Sequence, residues 1–456
     1  MDKLSTVILA AGLGKRMKSK HPKVVHKVCG KPMIQWVIDA ASCCSSDIIV
    51  VVGHGSDEVK DILKDRVKYG FQEKQLGTGH AVMMAEQLLP EEGAVMILTG
   101  DTPLIKSDTL KKFFEFHIKE GNQLTILSSI FDDPTGYGRI LRDKNKDVIR
   151  IVEDKDAKEE EKSINEINSA MYIMDIKYLR QALKDLNNNN AQGEYYLTDT
   201  VEIIKRLGGK VGAFTADSEE ILGVNSRIQL SIAEKIMRKR INETHMENGV
   251  TIIDPDNTYI GADVEIGNDT IIQPGCIIDK GTVIGSDCEI GPDCRIINST
   301  IGNGCNIMYS VITDSELGNN IKLGPFAQIR PESIIKDNAK LGNFIEIKKS
   351  TIGEGSKVPH LTYIGDAEVG KNVNMGCGSI VVNYDGKKKY KTIIGDNVFV
   401  GCNVNLVSPV KIHDNAFIAA GSTITEDVPE GAFAIARSRQ VTKEGWVEDR
   451  IKKGRL

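Results

Sequence analysis

The segment LAAGLGKRM, residues 9–17, places two glycines and two basic side chains directly after a short apolar run. Gly12 and Gly14 let the backbone approach a ligand closely, while Arg16 and, in the following HPKVV segment, Lys23 supply positive charge. Backbone N–H groups in such loops bind phosphate. The loop matches neither the dinucleotide-binding fingerprint nor the Walker A pattern, so a tight turn with surface cations is the alternative interpretation.

Two other positions offer oxygen atoms to a metal ion. Asp101 follows the apolar run AVMILTG, where a carboxylate is costly unless it is solvated or binds a cation. Asn225, in the segment GVNSR, adds an amide oxygen. Such donors, completed by water, suit Mg²⁺, which shares its coordination with substrate phosphates. Gly77 and Thr78, in QLGTGHA, stand where a further helix is predicted to begin.

In the second half of the chain, polar and cationic residues interrupt a regular apolar pattern. An aliphatic residue returns every sixth position from Ile260 to Ile296 and again from Ile394 to Ile424. A period of six fits neither a helix nor a flat strand, and predicts a β-solenoid whose coils bury a core by stacking. A lone histidine on such a face is more often a surface residue without a role. The solenoid can therefore be either a passive scaffold or the location of a binding or catalytic site. The interrupting residues are Arg330, Lys348, His360, Tyr363 and Asn374.

The first half has the pattern of a sheet that positions the glycine loop and the oxygen donors. The strand-like runs STVILAA, DIIVVVG, AVMILTGD and LTILSSIF alternate with helical spacing over residues 32–42, 78–89 and 107–120. This predicts a mostly parallel sheet covered by helices, with ligands beyond the carboxyl ends of the strands. Residues 226–247 predict one long helix. We therefore expect a domain at 1–226, a linker helix at 227–249 and a second domain with a basic tail at 250–456.

Composition limits the classes of function. A chain of 456 residues is too long for one core, and a net charge of -5 argues against nucleic acid as the main partner. The apolar run at the N-terminus is too short for a signal peptide, and no run approaches the ~20 apolar residues of a membrane span, so we expect a cytoplasmic protein. The nine cysteines contain no C-x-x-C pair. Three share the phase of inward Val and Thr positions, which predicts buried structural thiols: Cys276, Cys288 and Cys294.

The motifs of the whole chain together resemble a known family. The segments LAAGLGKRM, PKVVH, QLGTGHA, GD-x-PL, DPTGYGRI, IVEDKDA, EIN and NNNAQGEYYLTD resemble nucleotidyltransferases that activate sugar 1-phosphates. Their order, together with the solenoid, is similar to that of the bacterial bifunctional UDP-N-acetylglucosamine pyrophosphorylases and glucosamine-1-phosphate N-acetyltransferases. The resemblance implies an α/β Rossmann-like nucleotidyltransferase domain followed by a left-handed parallel β-helix built from hexapeptide repeats.

The resemblance also implies two reactions for cell-wall precursor synthesis. The C-terminal domain transfers acetyl from acetyl-CoA to glucosamine 1-phosphate, and the N-terminal domain transfers UMP from UTP to N-acetylglucosamine 1-phosphate and releases pyrophosphate. A homotrimer with acetyl sites between subunits is implied as well. By itself, the sequence leaves two alternatives: a solenoid that only oligomerises or regulates, and a non-catalytic exchange-factor subunit. His360 argues against the first, and Asp101, Asn225 and Lys23 argue against the second.

In the N-terminal domain, the resemblance implies a site for nucleotide, sugar and Mg²⁺. In this resemblance, Arg16 binds the triphosphate, Asp101 and Asn225 hold Mg²⁺, and Glu153 contacts the sugar. Without the resemblance, the sequence around Glu153 indicates only an acidic residue at the surface. The remaining nucleotide-binding residues are Leu9, Ala10, Ala11, Gly12 and Lys23; those at uracil and ribose are Gln72, Gly77 and Thr78; those at the N-acetylglucosamine moiety are Gly138 and Asn168 together with Glu153.

In the C-terminal domain, the resemblance implies that His360 is the general base, a role that suits an unperturbed histidine pKa of about 6.5. Arg330 and Lys348 bind the sugar phosphate, and Tyr363 and Asn374 place the sugar. The residues implied for acetyl-CoA are Asn383 and Tyr384 beside the acetyl group, Lys389 and Arg437 at the phosphates of coenzyme A, and Cys377, Cys402 and Ala420 at the coil turns. For Lys389, a position at a solvated hairpin tip without a binding role is an equally open interpretation. Neither cysteine is expected to act as a nucleophile, because the amine can attack the thioester directly.

Overall fold

The computed structural model describes residues 4–456. The chain divides into two compact units, one ending at Arg240 and the other beginning at Ile241, and the division falls inside one long helix. Within residues 4–456, no helix combines the length and the apolar character needed to cross a bilayer.

Strands and helices alternate through most of the first unit, as the sequence predicts. Its strands are β1 (Leu4–Leu9), β2 (Lys27–Val28), β3 (Lys31–Pro32), β4 (Asp47–Val52), β5 (Lys68–Phe71), β6 (Ala94–Thr99), β7 (Leu124–Ile130), β8 (Gly138–Arg142), β9 (Val148–Val152), β10 (Glu166–Asp175) and β11 (Val211–Thr215). Its helices are α1 (Met33–Ser42), α2 (Ser56–Leu63), α3 (Thr78–Met83), α4 (Ser107–Glu120), α5 (Glu159–Lys162), α6 (Ile176–Asp185), α7 (Thr200–Arg206) and the dividing helix α8 (Arg227–Glu247).

The main sheet of this unit is mostly parallel, in the order β11-β7-β10-β6-β1-β4-β5. Strand β10 is antiparallel to both of its neighbours, β6 and β7, and it also pairs with β8. Helix α3 is shorter than the predicted 78–89, because the chain tightens into a 3₁₀ turn at Glu86–Leu88 before Pro90, and the residue before a proline disfavours the helical conformation. Apolar side chains fill both faces of the sheet.

The parallel pairing brings the predicted chemistry to one edge of the sheet. Strand β1 lies between β4 and β6, so all three strands end side by side. The backbone N–H of Ala10 donates to Val51 O at 2.9 Å, and the N–H of Gly100 donates to Leu9 O at 2.9 Å. These bonds hold the beginning of the glycine loop beside the residue that precedes Asp101.

The second unit is a solenoid with three parallel sheets, which we call faces 1, 2 and 3. Face 1 consists of Thr251–Ile252, Ile271–Ile272, Glu289–Ile290, Asn306–Ile307, Lys322–Leu323, Lys340–Asn343, Lys357–His360, Asn374–Met375, Phe399–Val400, Phe417–Ile418 and Phe433–Ala434. Face 2 consists of Tyr259–Ile260, Ile277–Asp279, Arg295–Ile297, Val311–Thr313, Ala327–Ile329, Ile345–Lys348, Tyr363–Gly365, Ile380–Val382, Asn405–Val407 and Thr423–Ile424. Face 3 consists of Glu265–Ile266, Val283–Ile284, Thr300–Ile301, Ser315–Leu317, Ser333–Ile335, Thr351–Ile352, Ala367–Val369, Thr392–Ile394 and Val410–Ile412.

Stacked aliphatic residues form the core of the solenoid. Ile278 pairs with Ile296 in the next coil, and both side chains are fully buried. Some coils have 17 residues instead of 18, as where Ile284 pairs with Ile301. One turn is then a residue shorter, which shifts the phase of the six-residue pattern but leaves the inward line of side chains continuous. The predicted solenoid is therefore present also where the pattern in the sequence changes phase.

The three cysteines predicted to be structural lie in the core, and one later segment leaves the regular coils. Cys276, Cys288 and Cys294 are buried, as predicted for inward-facing core residues. Between Val382 and Thr392 the chain leaves the coil as a small hairpin, in which Tyr384 forms an antiparallel bridge with Lys389. After the last coil, the basic tail contains one short exposed helix, α9 (Trp446–Lys452).

Because burial alternates within each strand, adjacent isoleucines should differ sharply in their contribution to stability. Ile278 is 0% exposed, whereas Ile277 in the same strand is 43% exposed. We expect Ile278→Ala to lower the free energy of unfolding by about 2–5 kcal/mol, because it removes packed methyl groups and leaves a cavity. The control Ile277→Ala should change it by less than about 1 kcal/mol. Denaturant titrations at one protein concentration measure both, and equal losses would contradict an inward-packed core.

Candidate active sites

A cavity of about 510 Å³ opens in the first unit at the carboxyl ends of β1 and β6. Its wall includes most of the residues predicted to bind the nucleotide: Leu9, Ala10, Ala11, Gly12, Lys23, Gln72, Gly77, Thr78 and Asp101. Arg16 is exposed and does not line the cavity, whereas its neighbour Lys15 does. Sequence reasoning did not single out four further polar lining residues, although all of them lie inside or next to motifs that it used: Lys15, Gln75, Thr99 and Glu194.

The ammonium group of Lys23 lies between the two predicted metal ligands. Lys23 Nζ donates a short hydrogen bond to Asp101 Oδ2 and a second one of 2.9 Å to Asn225 Oδ1. Both charged side chains are mostly buried, with exposed fractions of 14% for Lys23 and 16% for Asp101. Gly14 has a φ of 57°, and a Cβ atom there would lie 2.8 Å from Lys23 Cβ, so this glycine allows the close packing of Lys23 against the loop.

These oxygens fit a Mg²⁺ ion that is shared with phosphates. A cation already lies between one carboxylate and one amide oxygen, which are the hard donors that Mg²⁺ prefers. Among the described residues, no cluster of three or more His, Cys, Asp or Glu side chains is arranged to hold a metal ion. The site therefore lacks the ligands of an all-protein cage, and substrate oxygens and water have to complete the coordination.

The buried side chain of Gln72 is fixed in the wall of the cavity, next to Gly77, which precedes α3. Gln72 Nε2 donates to Gly77 O at 3.1 Å and lies 3.0 Å from His80 Nδ1. Gly77 has a φ of 107°, and a Cβ atom there would lie 2.6 Å from Tyr195 O, so no larger residue fits. Thr78 Oγ1 accepts a hydrogen bond of 3.1 Å from the Leu197 N–H. The Gln72 amide thus has a defined orientation before any ligand binds.

The three residues predicted at the sugar lie together, although they are not among the residues that line the cavity. Asn168 is the register partner of Gly138, and Glu153 Oε2 would lie 3.6 Å from a Cβ atom at Gly138. Asn168 Nδ2 donates to Tyr172 Oη at 2.8 Å, and Glu153 Oε1 accepts from Thr198 Oγ1 at 3.3 Å. Burial raises the pKa of Glu153. Glu153 is therefore a half-buried, hydrogen-bonded residue and not the solvated surface acid that its sequence context alone suggests.

In the solenoid, His360 ends a strand of face 1 and is exposed. Its Nδ1 atom lies 2.6 Å from Oδ1 of Asn343, which stands directly beneath it in the preceding coil. In the following coil, the Gly378 N–H donates to His360 O at 3.3 Å. Asn374 lies on the same face, half-buried. Sequence reasoning missed Asn343, although it belongs to the same GNFIEIKKS run as Lys348.

A cluster of cations lies where face 2 ends. Arg330 Nη1 forms an ion pair of 2.5 Å with Glu346 Oε1. The neighbouring Lys389 amine lowers the pKa of Lys348, and Arg330 acts in the same direction. Lys389 belongs to the small hairpin, and it also lies close enough to Asp366 to feel that carboxylate. The structure therefore places Lys389 with the residues predicted to bind the sugar phosphate.

The base of the small hairpin is tied to this cluster. Asn383 is buried, and its Nδ2 atom donates to Asp366 Oδ2 at 2.6 Å and to Tyr363 Oη at 3.5 Å. The neighbouring Tyr384 is exposed, and its hydroxyl donates to Gly386 O at 2.7 Å. Tyr363 follows His360 by three residues and begins the face 2 strand Tyr363–Gly365. This strand therefore runs from the corner that carries His360 to the corner that carries the cations.

The remaining residues predicted for acetyl-CoA stack along the corner between faces 1 and 2. The Asn403 N–H donates to Cys377 O and the Gly421 N–H donates to Cys402 O, both at 2.8 Å. Ala420 immediately precedes Gly421, so the three predicted positions lie in successive coils. Arg437 Cδ would lie 3.8 Å from a Cβ atom at Gly421, which places this arginine at the same corner.

Comparisons with known proteins agree with this architecture. The nucleotidyl transferase family model matches residues 5–219, the bacterial transferase hexapeptide (six repeats) model matches residues 391–426, and the GMPPB C-terminal domain model matches residues 259–335. Proteins called "Bifunctional protein GlmU" from Caldanaerobacter subterraneus and Thermoanaerobacter pseudethanolicus are 73% and 74% identical, and the alignments cover 100% of both chains in each case. A protein of the same name from Clostridium botulinum is 58% identical over 99% of this chain and 98% of its own length.

The chain combines an α/β nucleotidyltransferase fold with a left-handed parallel β-helix of hexapeptide repeats. Its relatives are 58–74% identical and align over nearly their full length. The chain belongs to the GlmU family of bifunctional enzymes, which synthesise UDP-N-acetylglucosamine with an N-terminal uridylyltransferase and a C-terminal acetyltransferase.

Proposed function

We propose that the 510 Å³ cavity is the uridylyl-transfer site and that the outer side of face 2, with the adjoining corners, is the acetyl-transfer site. The observation that carries the first assignment is the cation of Lys23 between Asp101 and Asn225 at the edge of a glycine loop. We assign the first activity to residues 1–226, the second to residues 250–456, and a linking role to the helix between them.

In the uridylyl site, the reaction is an in-line transfer that needs little covalent chemistry from the protein. An oxygen of the sugar 1-phosphate attacks the α-phosphorus of UTP, the bond from that phosphorus to the bridging oxygen breaks, and pyrophosphate leaves. No general base is needed, because the attacking phosphate is already an anion. The residues act through position and charge: the backbone of residues 9–12 approaches the nucleotide, Lys23 and Arg16 neutralise the phosphates, and Gln72 presents its fixed amide to the base.

Asp101 and Asn225 are the proposed Mg²⁺ ligands, and the ion supplies charge neutralisation at the phosphates when it is bound. The Lys23 ammonium bonds Asp101 Oδ2 and Asn225 Oδ1, so its positive charge opposes a divalent ion at the same oxygens. A substrate phosphate would offer the ammonium another anionic partner and would leave these oxygens to the ion. This links metal binding to nucleotide binding.

We therefore expect the Lys23 ammonium to oppose metal binding in the absence of nucleotide. Without UTP, Lys23→Met should bind Mn²⁺ at least about tenfold more tightly than the unsubstituted protein, because a competing positive charge is removed. Titration of free Mn²⁺ by electron paramagnetic resonance measures the affinity directly.

Lys27→Met, which changes an exposed lysine of β2, is the matched control and should leave the Mn²⁺ affinity unchanged. Equal Mn²⁺ affinities for Lys23→Met and the unsubstituted chain would show that Lys23 and the metal do not compete. Uridylyl transfer by Lys23→Met should fall in either case, so the binding titration decides the point.

In the acetyl site, we propose that His360 is the general base. The amine nitrogen of glucosamine 1-phosphate bonds to the thioester carbonyl carbon while one of its protons moves to His360. The carbon–sulfur bond then breaks, and the coenzyme A thiolate leaves and takes up a proton. Backbone N–H groups at the turns that carry Cys377, Cys402 and Ala420 are suited to stabilise the tetrahedral oxyanion. Tyr363 and Asn374 place the sugar between the base and the cations.

A variant of His360 should separate the two activities. With glucosamine 1-phosphate and acetyl-CoA, His360→Ala should release free thiol at least about 100-fold more slowly, since general-base catalysis contributes roughly that factor or more. Supplied with N-acetylglucosamine 1-phosphate, UTP and Mg²⁺, the same variant should release pyrophosphate at the normal rate. Thiol release that survives the substitution unchanged would disprove the general-base assignment.

We propose that Lys389 joins Arg330 and Lys348 at the sugar phosphate, and that Arg437 with the turns around Ala420 receives acetyl-CoA, with Asn383 and Tyr384 near the acetyl group. The position of the Lys389 amine beside Lys348 supports this division. Three like charges at one place are unfavourable alone, and Glu346 and Asp366 compensate only part of them. A doubly charged phosphate supplies the missing negative charge.

The two possible roles of Lys389 give different kinetics. Lys389→Ala should raise the KM for glucosamine 1-phosphate about fivefold to tenfold, because one charge-assisted hydrogen bond to the phosphate is lost. The KM for acetyl-CoA should change less than about twofold. Lys387→Ala, at the exposed tip of the same hairpin, is the control for the hairpin itself. A selective rise in the KM for acetyl-CoA would return Lys389 to the coenzyme A phosphates.

We also propose a homotrimer that assembles through the β-helix and works in the cytoplasm. Flat parallel faces are suited to packing between subunits, and several large apolar side chains on face 1 and on the later coils of face 2 are exposed in the single chain, among them Ile271, Ile380 and Phe399. A reducing compartment is consistent with cysteines that are all free thiols. Sedimentation analysis of the full chain tests the oligomeric state.

A further inference from the structure

We propose that Asn343 is a positioning residue for acetyl transfer, because it determines which ring nitrogen of His360 carries the proton. The inference rests on the proposed role of His360 as the base. Asn343 Oδ1 lies 2.6 Å from His360 Nδ1. An amide oxygen can only accept a hydrogen bond, so Nδ1 must carry the proton. The other ring nitrogen, Nε2, then keeps its lone pair and is the atom that accepts the proton of the substrate amine.

The fold holds this contact from both sides. Asn343 and His360 are register partners in the parallel strands Lys340–Asn343 and Lys357–His360. The backbone carbonyl of His360 accepts from Thr362 Oγ1 at 2.7 Å and from the Gly378 N–H at 3.3 Å. Within residues 4–456, Asn343 is the one side chain bonded to the His360 ring. The main chain of His360 is therefore anchored by its neighbours, and the orientation of its ring depends on Asn343.

The chemistry favours a neutral partner at this position. A carboxylate beside the ring would stabilise the imidazolium form and reduce the fraction of free base. The Asn343 amide orients the ring without adding charge. This arrangement suits a base that has to be neutral when the amine arrives, takes a proton from the amine as nitrogen bonds to the thioester carbon, and gives that proton to the departing thiolate.

Removal of the amide should slow the chemical step without weakening substrate binding. We expect Asn343→Ala to lower kcat of acetyl transfer about 10- to 100-fold, the range typical for loss of a partner that orients a functional histidine. The KM values for glucosamine 1-phosphate and acetyl-CoA should change less than about twofold, because Asn343 is not among the residues proposed to hold either substrate. Unchanged KM values show that the solenoid is folded, and pyrophosphate release by the other domain should be unchanged as well.

Two further variants make the test specific. Asn343→Asp keeps an acceptor oxygen at the same reach and should recover kcat to within about fivefold of the unsubstituted enzyme at alkaline pH, where the ring is neutral. Asn306→Ala is the matched control: it removes another face 1 asparagine, whose Nδ2 donates to Glu289 Oε2 in the preceding coil at 3.0 Å. Asn306→Ala should leave kcat and KM unchanged.

The protonated nitrogen can also be observed directly. In protein labelled with ¹⁵N at its histidine rings, the His360 signal, assigned by its disappearance in His360→Gln, should have the shifts of a proton on Nδ1. In Asn343→Ala the shifts should move toward a mixture of both forms. A proton on Nε2 in the unsubstituted chain, or a kcat of Asn343→Ala no lower than that of Asn306→Ala, would overturn the proposal.

The outcomes keep this inference separate from the proposed function. If His360→Ala abolishes thiol release and Asn343→Ala behaves like the control, His360 is the base and Asn343 does not position it. If His360→Ala releases thiol normally, the base itself is misassigned, and any effect of Asn343 would then have another origin, which overturns the positioning role as well.

Discussion

In-register stacking of parallel coils is the constraint on which the second half of this molecule depends. Each coil donates backbone hydrogen bonds to the next along three faces, so in the regular coils a side chain stands above the one 16 to 18 residues earlier. Inside, the rule builds the aliphatic line exemplified by Ile278 and Ile296. Outside, the same rule places Arg330 beside Lys348 and Asn343 beneath His360. The scaffold and the proposed active site thus follow from one hydrogen-bonding pattern.

The constraint in the first half is electrostatic, because the proposed site has to hold negatively charged phosphates near the carboxylate of Asp101. A bare Asp101 at the end of a buried strand is unfavourable and would repel a nucleotide, and the Lys23 ammonium offsets that charge in the absence of substrate. The glycine loop makes the arrangement possible, because Gly14 lets the chain turn back and pack against Lys23. In the proposed complex with phosphates and Mg²⁺, the same three groups would exchange partners without leaving a buried charge unpaired.

How far the sequence predicts this structure depends on whether the relevant contacts are local. The spacing of six residues predicts the solenoid because every coil has to bury its own aliphatic side chains. The strands and most helices of the first half likewise follow from local periodicity in the sequence. The pairing of Lys23 with Asp101 and Asn225 joins residues 78 and 202 positions apart, and nothing in the local pattern indicates it. Asn343 is an intermediate case. It is invisible as an isolated asparagine, yet a spacing of 17 from His360 equals one coil, so coil arithmetic would have paired the two.

The small hairpin at residues 383–391 shows why the exception to the repeat lies where it does. An insertion within a strand would break the ladder of its face, whereas an insertion at a corner leaves every strand stacked, as Val382 and Thr392 still pair with their neighbours. The corner chosen is the one that carries Arg330, Lys348 and Asp366. Asn383 ties the base of the hairpin to Asp366, and the return strand brings Lys389 beside Lys348. The extra residues therefore leave the stacked core intact, and they bring the Lys389 amine beside Lys348 and close to Asp366.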